Sequence, residues 1–553
     1  MATESVPTTA TTARPADVGL KREMGLIGGM WASETSLIGS GWLFGALYAS
    51  QAAGTAAILA WVGVGVIFAV LALVYSELGA MYPVAGGTGR FPHFAFGTVA
   101  GISFGFFAWL QAVTVAPIEC YAVMQYGSYA WHGIYDSNSG NVTGLGFAMA
   151  VVLMAIFTLL NFFAMRLFSK VNSGITWWKI AIPLIAIVAL FTQFHSANFD
   201  VGGFAPYGAK GVFAATSAGV AFALLGFEQA DQLAGEIKNP QRNLPRAILG
   251  ALAIAIVIYT LLQVVFIGAL PHSQLAHGFA GISNSQILDG PFAGVAGLAG
   301  IAWLAWILRL DAVISPGGTG LIYFTSTSRV SYGLARNRYY PPIFSWTDRR
   351  GVPWFGLLAS FVFGCIFLLP FPSWHSLVGL VTSAAVLMYA GAPLSLGAFR
   401  SQVPEANRPY RMGGAIVLAP LAFILANFLI YWSGLEVIWK LGICIVIGYV
   451  LIGAWLIFAK DRPPLIGDHW KAASWLPVYL IGMGIISWQG QYSGGAVAAP
   501  LNTGHLHLWV DLGVIAAFSL VIYYWAQAVR LPREDMLEIV ARQSAEHEAA
   551  SDS

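Results

Sequence analysis

Charged side chains are scarce in this chain. Only 9% of its 553 residues are Asp, Glu, Lys or Arg, whereas 58% are hydrophobic, and a soluble domain carries about 25% charged residues. A soluble fold could not hide so much apolar surface behind so few charges. The composition therefore excludes an ordinary soluble protein and predicts an all-α polytopic membrane protein.

Cysteine is rare as well, and the net charge is low. The three cysteines, Cys120, Cys365 and Cys444, all lie in apolar segments, which predicts free buried thiols and no disulfide framework. No Cys/His cluster has metal-ligand spacing, so neither a metal nor another cofactor is expected. A net charge of +2 does not indicate binding to nucleic acid, which needs a strongly basic surface. The chain also lacks a nucleophile–base pair and a phosphate-binding loop, so an enzyme is not expected.

Long apolar runs are what the chain has in abundance. A helix that crosses a bilayer needs about 20 residues, and about fourteen segments come near that length. The segment at 290–335 is too long for one simple span, and the segment at 475–490 is short. The candidate spans lie at 26–50, 55–82, 98–130, 144–165, 171–192, 211–234, 246–270, 290–335, 352–371, 376–400, 414–433, 437–459, 475–490 and 506–529.

Lys and Arg in the loops predict the orientation. With the N-terminus inside, almost all of them fall on the cytoplasmic side, and only Lys210 and Lys440 fall on the other. The expected location is the plasma membrane, with a bacterial inner membrane favoured and both termini cytoplasmic. Residues 1–22, rich in Thr, Ala and Pro, predict a disordered cytoplasmic tail. Residues 531–553 predict a second cytoplasmic tail.

Two of the spans are interrupted by glycine. Gly39-Ser40-Gly41 lies in the first span and Leu225-Gly226 in the sixth. Glycine inside a helix costs about 1 kcal/mol relative to alanine, and in hydrocarbon every freed backbone group must find a partner. Breaks at matching places in two sets of five spans predict a binding site at the membrane midplane.

A unit of five spans inverts its topology when it is repeated. The predicted organisation is therefore a five-plus-five inverted repeat with broken spans 1 and 6. Spans 1–5 form the first repeat over residues 23–200, and spans 6–10 form the second over 201–403. Spans 11–14, over residues 404–530, are expected at the periphery.

Three motifs carry a resemblance to a known family. They are Gly39-Ser40-Gly41, the run from Phe222 to Ile248 that contains Glu236-Ile237-Lys238-Asn239-Pro240, and Tyr75-Ser76-Glu77-Leu78 continuing to Gly86-Gly87. Together they resemble the amino acid–polyamine–organocation superfamily of permeases, over about residues 20–460. The resemblance implies transport by alternating access.

The resemblance also implies a substrate site at the two breaks. The α-carboxylate of the substrate would meet backbone N–H groups of span 1, and its α-amino group would meet carbonyls of span 6. Phe222 matches the position of an aromatic gate in the family. The alternative for the glycines is close packing of small residues between helices. The candidate substrate-binding residues are Ile38, Gly39, Ser40, Gly41, Phe222, Ala223, Leu225 and Gly226.

Ionisable side chains inside spans are expensive and are functional candidates by default. Lys179 matches a lysine that many family members carry in span 5, at the place of a sodium ion in sodium-coupled relatives. It argues against sodium there, and it serves either proton coupling or a charged tether from span 5 to span 1 or span 8. The candidate coupling residues are Lys179, Glu228, Asp311 and Glu119.

The acids have structural alternatives. Glu228, with Asp231 one turn further on, matches a position linked to proton movement in some relatives, but both could instead hold the break together. Asp311 could bind a polar group of a neighbouring span. Glu77 and Glu236, near the cytoplasmic ends of spans 2 and 6, are expected to pair with arginines in an inner-gate or packing network.

The leading hypothesis is a secondary active transporter for an amino acid or related amine, driven by proton symport or by exchange. Its expected partners are the small-molecule substrate, a proton and membrane lipid. One alternative is a polyamine or organic-cation transporter, which needs no carboxylate site and would use the extra acids. Another is a non-transporting sensor or subunit with the same fold, which would have lost the two breaks.

Overall fold

The computed structural model describes residues 24–83, 87–163, 165–348, 352–459, 469–490, 492 and 507–541, with the backbone alone for 165–173 and 236. Several predictions lie outside these residues. They concern the tail at 1–22, Gly86, the pairing of Glu236 and the part of the second tail beyond residue 541.

The described residues fold almost entirely as helices. A single two-stranded antiparallel hairpin, β1 (Tyr135–Asp136) and β2 (Asn141–Val142), interrupts them between two long helices. A further helical stretch covers residues 533–541. In chain order the helices are α1 (Leu26–Leu37), α2 (Ser40–Ala53), α3 (Ala57–Met81), α4 (Gly87–Phe96), α5 (Thr98–Gly127), α6 (Gly144–Phe163), α7 (Met165–Phe191), α8 (Gly208–Ala215), α9 (Ala221–Ala223), α10 (Gln229–Gln232), α11 (Pro240–Ala269), α12 (Ser285–Asp289), α13 (Pro291–Leu298), α14 (Ala302–Arg336), α15 (Trp354–Leu368), α16 (Trp374–Tyr389), α17 (Gly391–Gln402), α18 (Ala415–Trp432), α19 (Leu435–Phe458), α20 (His469–Ala472), α21 (Trp475–Gln489) and α22 (Leu508–Val529).

Local sequence signals set several helix ends. Asn239 adopts a left-handed conformation and Pro240 begins α11, where a missing N–H costs nothing because the first helical N–H groups have no partner. The side chain of Ser373 caps α16 by accepting from the N–H of Ser376, whose own hydroxyl accepts from the N–H of Ser373. This pair of reciprocal hydrogen bonds, a capping box, fixes where α16 starts.

Within the described ranges, nine helical stretches are long and apolar enough to cross a membrane by length and composition. They agree with the prediction of an all-α polytopic membrane protein. Other predicted spans are broken or shorter, such as α15 and α21. The long segment at 290–335 divides into α13 and α14, and Gly300 with φ +78° lies between them. α14 is one helix of 35 residues and carries four charged side chains, which keep its hydropathy low.

Both predicted breaks are present. α1 ends at Leu37 and α2 begins at Ser40, with non-helical backbone at Ile38 and Gly39. In the sixth span a π-helical turn over Thr216–Val220 leads into α9, and the chain is non-helical until α10.

Gly226 has φ +107° within this second break. That conformation strongly favours glycine, because a Cβ atom would clash with the backbone.

The broken helices occupy the centre of the bundle. α1 packs against α11, α10, α7 and α14, while α2 packs against α8, α9 and the π-helical turn. α5 packs along α14 and α16, and α18, α19, α21 and α22 form an outer group that touches α16 and α17. The breaks are therefore enclosed on all sides by other helices.

The three cysteines are free, as predicted. Cys120 is buried, but Cys365 and Cys444 are half-buried. The expectation of burial was wrong for these two, because their helices α15 and α19 expose many apolar side chains on the outside of the bundle.

Candidate functional site

The two broken spans touch each other on either side of their breaks. A Cβ atom built on Gly41 would lie 2.6 Å from the Cα atom of Ala223. A Cβ atom on Gly226 would lie 2.7 Å from the Cβ atom of Ser36. All the residues predicted to bind substrate are thus brought into one place. The contact at Gly41 also fits the alternative, in which small residues permit close helix packing.

A carboxyl group occupies the start of α2. Glu119 reaches in from α5, and its Oε2 atom accepts a hydrogen bond of 3.0 Å from the N–H of Ser40. The first N–H groups of a helix have no partner within it and favour negative charge. A Cβ atom on Gly39 would lie 2.7 Å from the other oxygen of Glu119. The donor that was predicted for the substrate carboxylate is therefore held by a carboxyl group of the protein.

Lys179 links three helices beside the same break. Its Nζ atom donates to the carbonyl oxygen of Thr35 and to the hydroxyl of Thr319, each at 2.7 Å. The side chain is fully buried. The ammonium of Lys179 thus connects α7 with both α1 and α14, as the tether alternative requires. It also lies next to the break of the first span.

Glu228 holds the break of the sixth span against α16. Its Oε2 atom accepts from the N–H of Gly226 at 3.1 Å and from the hydroxyl of Tyr389 at 2.5 Å. Asp231 points elsewhere, towards Gly79 on α3. Its carboxyl oxygens are buried and have no hydrogen-bond partner among the described residues. The two acids therefore share no hydrogen-bond partner among the described residues.

Asp311 takes its partners from its own helix and from α7. Its Oδ1 atom accepts from the indole of Trp178 at 2.8 Å and from the hydroxyl of Ser315 at 2.6 Å. The guanidinium of Arg309 lies 3.3 Å from the centre of the Tyr129 ring. Asp311 thus has the partner on a neighbouring span that the structural alternative required.

Aromatic side chains cover the site on the predicted extracellular side. Trp374, at the start of α16, donates from its indole to the hydroxyl of Ser40 at 2.8 Å. Its ring packs against Phe222, Phe44 and Tyr48, with ring centres 5.6, 4.9 and 5.7 Å away. Phe222 therefore belongs to an aromatic cluster that has Trp374 at its centre.

Charged side chains connect α3 with α17 at the end of the bundle opposite the aromatic side chains. Glu77 on α3 accepts two hydrogen bonds from Arg400 on α17, at 2.9 and 2.6 Å. It also accepts from the N–H of Met412, and Arg408 lies 3.3 Å from its Oε1 atom. The pairing of Glu77 with arginines is confirmed.

Sequence reasoning missed two residues of this region. Trp374 carries no local signal, because its role depends on a contact with Ser40, 334 positions away. Glu34 did carry a signal, since it is an acid inside the first span. In the part of the chain that the structure describes, its two oxygens are buried without a hydrogen-bond partner. The described residues also contain no group of three or more His, Cys, Asp or Glu that could hold a metal ion.

Comparison with known proteins agrees with this architecture. Residues 25–490 match a family model described as amino acid permease. The chain is 38% identical over 519 residues to the glutamate/serine transporter AimA of Bacillus subtilis, which covers 92% of this chain and 94% of that protein. It is 36% identical over 504 residues to the aspartate-proton symporter of the same organism, with 90% and 94% covered. A branched-chain amino acid permease, BcaP, is 26% identical over 468 residues, with 78% and 92% covered.

Proposed function

Because the chain belongs to the amino acid permease family of the amino acid–polyamine–organocation superfamily, we propose that it carries a small polar or acidic amino acid together with a proton by alternating access. It is a multi-pass membrane transporter of amino acids and not an enzyme. The proposed location is the plasma membrane, with both termini cytoplasmic.

The proposed organisation has residues 23–200 and 201–403 as inverted repeats of five spans, with residues 404–530 at the periphery. The two interrupted spans support it, because each opens its backbone at the same place in its set of five. The close contact of Gly41 with Ala223 supports a shared site between the repeats.

One observation carries the coupling proposal: Glu119 accepts from the N–H of Ser40. In the proposed site that N–H binds the substrate carboxylate, so Glu119 has to give up its place when substrate enters. An ionised carboxylate left buried without a partner costs several kcal/mol. Glu119 therefore takes up a proton as it leaves, and substrate and proton enter together.

Lys179 supports the same scheme. Its ammonium already fills a position between Thr35 and Thr319, so a sodium ion is not needed there. Lys179 also supplies the positive charge next to an incoming carboxylate. Glu228 stabilises the second break through Gly226 and Tyr389, and Asp311 stabilises the contact of α14 with α7.

The proposed substrate class rests on the two relatives of highest identity reported above, which are named for glutamate, serine and aspartate. A polyamine is less favoured, because Glu119, Glu228 and Asp311, the acids that would attract it, already accept hydrogen bonds from the protein.

Uptake into proteoliposomes tests the proposal. Purified protein would be offered labelled serine, aspartate and glutamate, and in parallel putrescine and spermidine. Each would be measured with an inward proton gradient, with an inward sodium gradient and with neither. The expected result is amino acid uptake that the proton gradient stimulates and the sodium gradient does not. Uptake of amines without any amino acid uptake would contradict the proposal.

A further inference from the structure

Glu34 is an acid that the central site does not use. It lies on α1, five positions before Gly39, and it is fully buried. At a rise of about 1.5 Å per residue, it lies about 12 Å along the helix from Leu26. The residues of α1 before Ser33 are mostly half-buried or exposed, whereas every residue from Ser33 to Leu37 is buried. Glu34 thus marks the point where α1 enters the closed interior.

The residues directly before and after Glu34 both bond to other parts of the bundle. The hydroxyl of Ser33 donates to the carbonyl of Phe227, and the hydroxyl of Thr35 bonds to that of Thr176 at 2.6 Å. Among the polar side chains of residues 33–36, only that of Glu34 is buried without a hydrogen bond to any described residue.

The helices packed against α1 bring no described cation to Glu34. On α11 Tyr259 lies within electrostatic range of both Glu34 and Glu119, and its hydroxyl donates to the carbonyl of Leu37. Some of the other described titratable side chains of these helices contact groups elsewhere, and the rest are half-buried or exposed. They are Lys179 of α7 at Thr35 and Thr319, Asp231 of α10 at Gly79, Asp311 of α14 at Trp178, Tyr323 of α14 at Gly226, Arg309 of α14 at Tyr129, the half-buried Tyr332 of α14, and the exposed Arg242, Arg246, Arg329 and Arg336.

An ionised carboxylate in such a place would cost several kcal/mol, so the carboxyl group holds a proton while α1 packs against α11. A separation of α1 from α11 during the proposed alternating access would let water reach the group and would make ionisation inexpensive. The protonation of Glu34 and the position of α1 are therefore linked. The protonated acid favours α1 packed against α11, and the ionised acid favours α1 separated from it.

We propose that Glu34 is a second proton-binding site of this transporter, which holds a proton while α1 is packed against α11 and releases it to the cytoplasmic side when α1 moves away. The proposal rests on the proposed proton-coupled function. It differs from the role given to Glu119, which meets the substrate, because Glu34 responds to the movement of the helix.

Two measurements on the full-length protein test it, with wild type, Glu34→Gln and Glu34→Asp. The first is the infrared C=O stretching band of a protonated carboxyl group, taken as the difference between wild type and Glu34→Gln in lipid membranes. A band in this difference is expected, and its absence would overturn the proposal. This measurement does not require transport, so it decides the protonation of Glu34 even if the wild type shows no proton-driven uptake.

The second measurement separates exchange of labelled for unlabelled substrate from net uptake driven by a proton gradient. Glu34→Gln is expected to keep exchange, which needs no proton release, and to lose net uptake by about tenfold or more. Glu34→Asp is expected to recover part of the net uptake. Equal net uptake by wild type and Glu34→Gln would overturn the proposal. So would the loss of both activities in a variant that still purifies as a single species.

Asp511→Asn provides a matched control. Asp511 is another fully buried acid, but it lies on the outer helix α22 and bonds to Tyr431, away from the breaks. The control is expected to keep both exchange and net uptake. A similar loss of net uptake in the control would show that any buried acid has this effect, and would overturn the specific role of Glu34.

Discussion

The carboxyl group of Glu119 stands at the amide of Ser40, with 3.0 Å between Oε2 and the backbone nitrogen. The two residues come from different helices and are 79 positions apart in the chain. A side chain thus makes the interaction that an amino acid carboxylate would make in the proposed site, and a carboxyl oxygen of Glu119 would lie 2.7 Å from any Cβ atom at Gly39.

Glu119→Gln should uncouple transport from the proton gradient. The amide can still accept from Ser40, but it carries no charge and cannot take up a proton. Net uptake driven by the gradient should fall by about tenfold or more, while exchange of labelled for unlabelled substrate persists. Parallel assays of both activities over a range of pH would show it. Net uptake equal to wild type would remove Glu119 from the coupling scheme.

Gly41→Ala should abolish transport. The added Cβ atom would meet the backbone of Ala223 at 2.6 Å, so the two broken spans would have to separate. The matched control is Gly63→Ala on α3, where a Cβ atom meets nothing within 4 Å. Substrate affinity, measured by thermal shift, should be lost in the first variant and retained in the second. Wild-type affinity in Gly41→Ala would refute the central site.

Lys179→Met should lower both stability and pH-dependent transport. It removes the ammonium that donates to Thr35 and Thr319, and a hydrogen bond made by a charged group contributes about 1.5–3 kcal/mol. Thermal unfolding in detergent and uptake as a function of pH would measure the two effects. Lys440→Met, which breaks a half-exposed pair with Glu436 and a contact of the ammonium with the Phe371 ring, serves as the control. A lower melting temperature with unchanged pH dependence would leave Lys179 as a tether alone.

His93 should make the protein less stable in acid. It lies on α4, outside the predicted spans, and burial lowers its pKa to about 4. Its Nδ1 atom lies 2.7 Å from the Tyr339 hydroxyl. The unfolded chain has a histidine pKa near 6.5, so the unfolded state binds more protons below that pH. The contribution of His93 to stability is therefore present above about pH 6.5 and is lost as the pH falls towards 4.

Melting temperatures in detergent at pH 7.5 and pH 5 would test this. The decrease between the two values should be smaller for His93→Gln than for wild type. His132→Gln, at an exposed loop position, should behave as wild type. An equal decrease in all three proteins would contradict the assignment to His93.

The membrane class and the two breaks could be predicted from the sequence, because they depend on composition and on the residues close to each break. Scarce charge and long apolar runs indicate helices that cross a bilayer, and glycine inside a span marks a place where the helix is weakened. Gly39 and Gly226 both lie in non-helical backbone, as expected. The motifs around them also led to the family that the comparisons show. The division of 290–335 into α13 and α14 depended on the backbone at Gly300, and the pattern of apolar residues did not reveal it.

The partners of the buried charges were decided by the tertiary structure. The sequence alone showed that Glu119, Lys179 and Asp311 lie inside spans, and that such residues need partners. It did not show that Glu119 would reach Ser40, that Lys179 would bridge Thr35 and Thr319, or that Trp374 would cover the site. These contacts join residues far apart in the chain, and they form only when separate helices pack side by side. Local sequence sets where a helix begins or breaks, whereas packing between helices sets which side chains meet.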